Sequence, residues 1–497
     1  MRVMITASML YSFTTCPHRV YLDLHGDPAW RDETSAFVEL LWERGHAFEE
    51  ETVAALRVPF ENLRQVPREA REESTRQAME RGAQLIYGGR ISHARLLGEP
   101  DLLRREGSGY VPGDIKSGVG VEGACDASDG KPKRHYAVQL ALYSDILRHK
   151  GVAASTEAFV WDIHGEEIRY NLASPRGPRV SASMWDEYRM ALAAVQDIAS
   201  GRVQTRPALI GECALCPWRS YCRRQIVRDD DLTLVPELGR AARAKFPAEI
   251  STVADLARRK LSDLVAGDRS AIPGIGCTTL RRYHARAVLQ KTPAATPYFT
   301  AKVLLPKSDV ELFFDVETDP FRSLCYLHGF VERVGKITSG ERYVSFFAEE
   351  AVEAAERDAF ARAWAYVRGH RDAVVYFYSH YERTIWRQLA RRFPEVTTER
   401  EVEALFDESR FLDLYSDIVK SRMIWPTPSL SLKTLARFLG FAWRDTDPSG
   451  AGSIQWFHQW VETGDATVRQ RILAYNEDDC RALRVLVDAI GGLPGSA

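Results

Sequence analysis

The chain has 497 residues, 45% of them hydrophobic and 27% charged, with a formal net charge of -2. That composition excludes a disordered or collagenous protein, and the length exceeds what one core can serve, so two to four units of ~100–200 residues are expected. A nearly balanced charge leaves partners undecided, because local basic patches survive in a neutral chain.

No run approaches the roughly 18 apolar residues of a membrane span, and the opening "MRVMITASMLYSFTTCPHR" meets polar residues too soon for a secretory signal. A cytoplasmic protein is expected, with no membrane partner. In a reducing compartment, eight cysteines point to metal ligation rather than to disulfides.

In chain order, "SMLYSFTTCPHRVYLDL" has apolar and aromatic residues at helical spacing, with Cys16 followed by Pro17. "LLWERGHAFEEETV" places Gly45 and Glu49 on a helix, although a run of three glutamates is also what a solvated helix face carries. "GEPDLLRREGSGYVPGDIKSG" offers Asp101, a short loop, and a strand ending in Asp114, Ile115 and Lys116. Residues two apart on a strand share a face, so Asp114 and Lys116 converge while Ile115 enters the core. Two carboxylates that hold Mg2+ or Mn2+, with a lysine that orients the attacking water, suit phosphodiester hydrolysis. In "HYAVQLALYSDIL", Gln139 and Tyr143 are four apart and share a helix face.

"GECALCPWRSYCRR" then sets Cys213, Cys216 and Cys222 at a spacing that brings thiolates to one metal centre. Cys16 is the candidate fourth ligand. Cys125, Cys277, Cys325 and Cys480 belong to other segments. Four thiolates take zinc or an iron–sulfur cluster, and spacing alone does not choose.

With the cysteines before and after the acidic motifs, the first 225 residues or so resemble the RecB-like PD-(D/E)XK nucleases with an iron–sulfur staple, the group of AddB and the CRISPR adaptation exonucleases. The resemblance implies a 4Fe–4S cluster on Cys16, Cys213, Cys216 and Cys222 that clamps the two ends of the domain. It also implies Glu49, Asp101, Asp114 and Lys116 as the catalytic set, with Gln139 and Tyr143 steadying the lysine or a phosphate. The family often has arginine after the Cys-Pro pair, where this chain has His18, read as a stray ligand or a core histidine.

Between Glu237 and Lys291 eleven Lys and Arg face five Asp and Glu. Here "IPGIGCTTLRRYHARAVLQ" resembles the hairpin of a helix-hairpin-helix motif. Gly274 and Gly276 make the turn that presents N–H groups to a phosphate, and Arg281 and Arg282 reach the nucleic-acid backbone. A basic helical linker with a glycine turn is the alternative. "QKTPAATPYFT" reads as an extended connector, with a boundary near residue 298.

"DVELFFDVETDP" alternates as a strand, with Asp315 and Glu317 on its polar face, and divalent metal binding would justify carboxylates there. On a late helix, "ILAYNEDDCRALRVLV" puts Tyr475 and Asp479 four apart. Together with "SLSLKTLARFLGF", these motifs resemble DEDD exonucleases of the DnaQ-like RNase H-fold superfamily, nearest the YprB type. The resemblance implies Asp315, Glu317 and Asp479 as ligands of Mg2+ or Mn2+ and Tyr475 as the residue that positions water. The usual fourth aspartate is replaced by Glu382 in "YFYSHYERTIWRQL", with Asp413 as a backup and Asp478 solvated or behind the ligands.

The expectation is an α/β protein with three parts: a PD-(D/E)XK nuclease domain with its iron–sulfur staple at 1–232, a basic helix-hairpin-helix-like connector at 233–298, and an RNase H-like DEDD exonuclease domain at 299–497. Its expected substrate is DNA, as single strands or ends, with RNA possible, in repair, recombination or defence. No Gly-x4-Gly-Lys-Ser/Thr loop occurs, so any helicase motor would be a separate partner. A nucleic-acid-binding scaffold and a zinc-stapled RNA-processing enzyme are the alternatives.

Overall fold

The computed structural model describes residues 3–122, 130–177, 180–446 and 448–494, so Cys125 lies outside it. The chain is a mixed α/β protein that divides into two compact units, Met1–Pro207 with Gly211–Arg223, and Ala208–Ile210 with Arg224–Ala497.

The first unit is built on a six-stranded sheet in the order Glu167–Asn171, Glu157–Trp161, Gly109–Ile115, Leu102–Glu106, Leu85–Tyr87, Glu61–Asn62. Leu102–Glu106 and Gly109–Ile115 form its central antiparallel hairpin. Strand Gly109–Ile115 is buried along its whole length and runs parallel to Glu157–Trp161, which is why it reads as a nearly continuous apolar run. Its residues alternate between two cores. Tyr110 packs with Tyr136, Leu140 and Tyr143 of helix Arg134–His149, and Val111 and Ile115 pack with Val53 and Phe159 on the other face. Asp114 therefore ends the strand on the side of that helix.

The second unit carries a five-stranded sheet in the order Arg342–Phe347, Leu324–Val334, Val310–Asp319, Val374–Phe377, Phe411–Asp413. The first three strands are antiparallel, and the last two continue parallel to the central strand. Along Val310–Asp319 the even positions Leu312, Phe314 and Val316 pack with Phe360 and Trp386, while Phe313 packs with Leu483 and Leu486. The odd face, with Asp315 and Glu317, is thus the one covered by helix Ala466–Gly492. Gly329 permits this close approach, because a Cβ there would sit 1.6 Å from Asn476 Oδ1.

The basic connector has a small core of Val235, Val253, Leu256, Leu280 and Tyr283 and belongs to the second unit. Gln290 Nε2 donates to Leu234 O (3.0 Å) and to Thr427 O (2.9 Å), tying helix Cys277–Lys291 to the body of the sheet domain. Buried Arg286 pairs with Glu237 at 2.8 Å.

Candidate active sites

In the first unit, helix Ala36–Ala54 turns Glu49 inward and leaves Glu50 and Glu51 exposed. Glu49 Oε1 accepts from Tyr87 OH (2.9 Å) and from Arg64 (2.5 Å). The same Arg64 nitrogen lies 2.9 Å from Asp101 Oδ1, so one guanidinium bridges the two carboxylates. Asp101 Oδ2 accepts from Ile115 N–H (3.0 Å), and Asp101 N–H donates to Asp114 Oδ1 (3.3 Å). Asp114 is 1% exposed; its Oδ2 lies 3.0 Å from Lys116 Nζ without hydrogen-bond alignment.

Burial, then the neighbouring Asp114, push the Asp101 carboxyl up to about 7. Burial works against the Lys116 ammonium, but Asp114 and Asp101 outweigh it and raise its pKa. Lys116 in this setting donates, which suits orienting a water or a phosphate oxygen. Gln139 Nε2 donates to Tyr143 OH (3.1 Å), and Tyr143 OH donates to Glu99 O (3.4 Å). A Cβ on Gly98 would meet the Tyr143 ring at 2.6 Å, so this ring seats the segment that leads into Asp101. Asp101, Lys116, Glu49 and Gln139 all line one open cleft of about 590 Å³.

In the second unit, one oxygen each from Asp315, Glu317 and Asp479 lie within 4.8 Å of one another, the one such grouping among the described residues. Asn476 Nδ2 donates to Asp315 Oδ2 (2.7 Å) and Trp443 Nε1 to Asp479 Oδ1 (2.7 Å). Lys433 Nζ donates to Tyr475 OH (2.7 Å) and lies 3.4 Å from Asp479 Oδ2. Burial, then Asp479, push Glu317 up to about 8; burial, Asp479 and Glu317 raise Asp315 well above the carboxylate range.

Glu382 is buried at the start of helix Tyr381–Arg392, outside the grouping of three, yet its charge reaches Asp315. Among the described residues its Oε2 has no hydrogen-bond partner, and burial raises its carboxyl well above the usual range. Asp413 is spent on the backbone: Oδ1 accepts from Ser379 (2.8 Å), Tyr415 (2.9 Å) and Ser416 (3.0 Å). Asp478 is not solvated. It is buried, accepting from Arg444 N–H (2.8 Å) and Nε (2.9 Å), because residues after helix Leu432–Phe438 cover that side of the last helix.

The second acid set fits a hard divalent cation. All its donors are carboxylate oxygens, and burial, then repulsion from Asp479, raise Asp315 and Glu317 despite the nearby Lys433. When bound, Mg2+ or Mn2+ would supply Lewis-acid polarisation of a phosphate. Arg64 already places a positive charge between Glu49 and Asp101.

A stability prediction follows from the raised carboxyls. An acid whose folded pKa exceeds its unfolded value of about 4 leaves stability intact below that pH and removes it as pH rises through the folded pKa. For Asp101 and Glu317 that window closes at about 7 and about 8. In EDTA the protein is expected to melt at a lower temperature near about pH 9 than near about pH 6, and Mn2+ to raise the melting temperature more at the higher pH. Scanning calorimetry at both pH values checks this; an equal metal shift at both refutes it.

Cys16 lies in extended conformation between helices Ala7–Thr15 and Pro17–His25, Cys213 lies in the short helix Gly211–Leu215, Cys216 just after it, and Cys222 within helix Arg219–Arg228. Among the described residues no three of these sulfurs lie within 4.8 Å of one another, so the expected four-cysteine cluster is not drawn together here. Burial, then Cys216, Cys16 and Cys213, push Cys222 up to about 12. His18 is a core histidine: buried, 2.9 Å from Thr205 Oγ1 through Nδ1, and stacked on Tyr21.

In the connector, Gly274 has φ +75° and its carbonyl accepts from Lys245 Nζ (2.7 Å), and Gly276 caps helix Cys277–Lys291. Arg281 is exposed and donates to Gly267 O (3.3 Å), and Arg282 is half-buried.

Sequence reasoning missed Arg64, Lys433, Trp443 and Asn476. Lys433 sits inside "SLSLKTLARFLGF" and Asn476 inside "YNEDDC", so a polar residue one step from a motif position was the available signal. Residues 6–223 match the family model of the PD-(D/E)XK nuclease superfamily, and residues 312–491 match that of the RNase H superfamily. No curated protein matches the chain.

Proposed function

Since its two halves are a PD-(D/E)XK nuclease superfamily domain and an RNase H superfamily domain, we propose that the protein is a two-site nuclease that hydrolyses DNA single strands or ends with Mg2+ or Mn2+. The observation that carries this reading is the convergence of Asp315, Glu317 and Asp479 to within 4.8 Å beneath Tyr475 and Lys433. Asp315, Glu317 and Asp479 would hold metal in the second site, Asp101 and Asp114 in the first, with Glu49 beside them. Tyr475, protonated and held by Lys433, positions the water in the second site, and Lys116 orients it in the first.

The second site is read as an end-trimming DEDD exonuclease of the YprB type, and the first as a RecB-like nuclease whose four cysteines carry a 4Fe–4S cluster. The spacing of Cys213, Cys216 and Cys222, with Cys16 ahead of the acidic motifs, supports the cluster. Gly274, Gly276, Arg281 and Arg282 are proposed to hold the nucleic-acid backbone. The division at 1–232, 233–298 and 299–497 stays a functional proposal, as do a cytoplasmic setting, a separate helicase partner, and a role in repair, recombination or defence. No helix among the described residues is long and apolar enough to cross a membrane.

Glu382 decides how complete the second site is. If it is the fourth acid, Glu382→Asp retains or improves end trimming, and Glu382→Gln loses at least about tenfold, or about 1.4 kcal/mol of transition-state stabilisation. Asp413→Asn would instead lower the melting temperature, since Asp413 holds three backbone N–H groups. The assay is trimming of an end-labelled oligonucleotide with the first site disabled by Lys116→Ala. Normal trimming by Glu382→Gln removes Glu382 from the set. One feature favours a second reading, a binding-only half: Glu382 stands outside the grouping of three. Tight strand binding without trimming under either metal would select it.

A further inference from the structure

We propose that the outer wall of the first cleft is a stacking site for single-stranded nucleic acid, where Tyr11 receives the base of a nucleotide beside the cleaved phosphate and Arg19 takes a neighbouring phosphate. The inference rests on the reading of Asp101, Asp114 and Lys116 as a nuclease site.

The cleft that holds Glu49, Asp101 and Lys116 is also lined by Ser8, Tyr11, Ser12 and Arg19. Ser8, Tyr11 and Ser12 are spaced i, i+3, i+4 on helix Ala7–Thr15, so they form one face. The other face, Ala7 and Leu10, is buried in the core. The helix therefore presents two hydroxyls and a phenol to the cleft, and nothing in core packing requires them there.

Aromatic rings connect this wall to the proposed chemistry. Lys116 Nζ lies 5.5 Å from the Tyr136 ring, Tyr136 lies 4.5 Å from His135, and His135 lies 4.7 Å from Tyr11. Tyr136 is 8% exposed and Tyr11 is 36% exposed, so the row of rings starts at the lysine and surfaces at Tyr11. Burial, then Lys133, lower His135 to about 4, so its imidazole is a neutral aromatic surface at physiological pH. Arg19 pairs with Asp23 at 3.7 Å, a partly exposed i,i+4 ion pair of small worth that a phosphate can displace.

This combination selects the ligand. An exposed ring gains from stacking only against a base whose face is free, as in a single strand or a frayed end; a duplex must first unstack. Every base has a π-face, so the wall is indifferent to sequence.

The test uses the full chain with the second site silenced by Asp315→Asn. A single-stranded oligonucleotide carrying 5-iodouracil near its end is irradiated, and the crosslinked peptide is identified by mass spectrometry. The crosslink is expected at Tyr11, to disappear in Tyr11→Ala, and to be absent with a blunt duplex. In cleavage by the first site, Tyr11→Ala should raise KM about 5- to 100-fold, with Tyr11→Phe near the parent. An abasic nucleotide at the crosslinking position should weaken the parent by a similar factor and add nothing to Tyr11→Ala. A crosslink that maps away from helix Ala7–Thr15, or a KM unmoved in Tyr11→Ala, overturns the stacking site. The nuclease reading fails separately: Lys116→Ala must abolish cleavage by the first site while leaving the crosslink in place.

Discussion

Asp315→Asn is expected to lower cleavage by the second site by about 10³-fold, equivalent to roughly 4 kcal/mol of transition-state stabilisation, while cleavage that depends on Lys116 continues unchanged. Asp315 sits between Glu317 and Asp479 with one oxygen fixed by Asn476, so an amide in its place removes a ligand charge without changing the shape of the strand. The reciprocal variant, Lys116→Ala, should silence the first site and spare the second, and the double variant should not cut at all. End-labelled single strands with Mn2+, run on denaturing gels, separate the four proteins. Residual cleavage in the double variant above the metal-free background would contradict a two-site enzyme. A fragment that begins at residue 224 is the right one for isolating the second activity, because the connector packs with the sheet domain as one unit.

Cys216→Ala is expected to bleach a brown, anaerobically purified protein and to lower the melting temperature of the first unit by roughly 5–15 °C, from the loss of about 2–5 kcal/mol of loop-closing stabilisation. Cys16 comes from the start of the unit and Cys213, Cys216 and Cys222 from its end, so a shared cluster closes nearly the whole chain of that unit. Iron, acid-labile sulfide and zinc are quantified on the same samples. Stoichiometric zinc without iron would rule out the cluster and keep the staple. An unchanged melting temperature in Cys216→Ala would rule out both.

Patterns of short period were legible in the sequence. Asp315 and Glu317 stand two apart on a strand, Asp114 and Lys116 likewise, and Tyr475 and Asp479 one helical turn apart, because strand and helix geometry fix those relations locally. What stayed hidden was supplied across the fold. Arg64 reaches Glu49 and Asp101 from just beyond a two-residue edge strand, and Trp443 reaches Asp479 from a loop. For Asp478 the helix pattern left open a solvated place or one behind the acids, and Arg444, arriving from a loop, buries it. The glycine turn of the connector was legible, but its attachment through Gln290 rests on two carbonyls that no local pattern announces.

The last helix has a further consequence, one of timing. Asp315 and the Asn476 that fixes it lie 161 residues apart, and Asp479 arrives on the same helix, accommodated by the bare backbone of Gly329. A ribosome-bound chain can complete most of the five-stranded sheet before helix Ala466–Gly492 has left the exit tunnel. Until then the second acid set lacks a member. The second acid set is therefore the last part of its sheet domain to be assembled: Asp315 and Glu317 wait on their strand for the helix that brings Asn476 and Asp479.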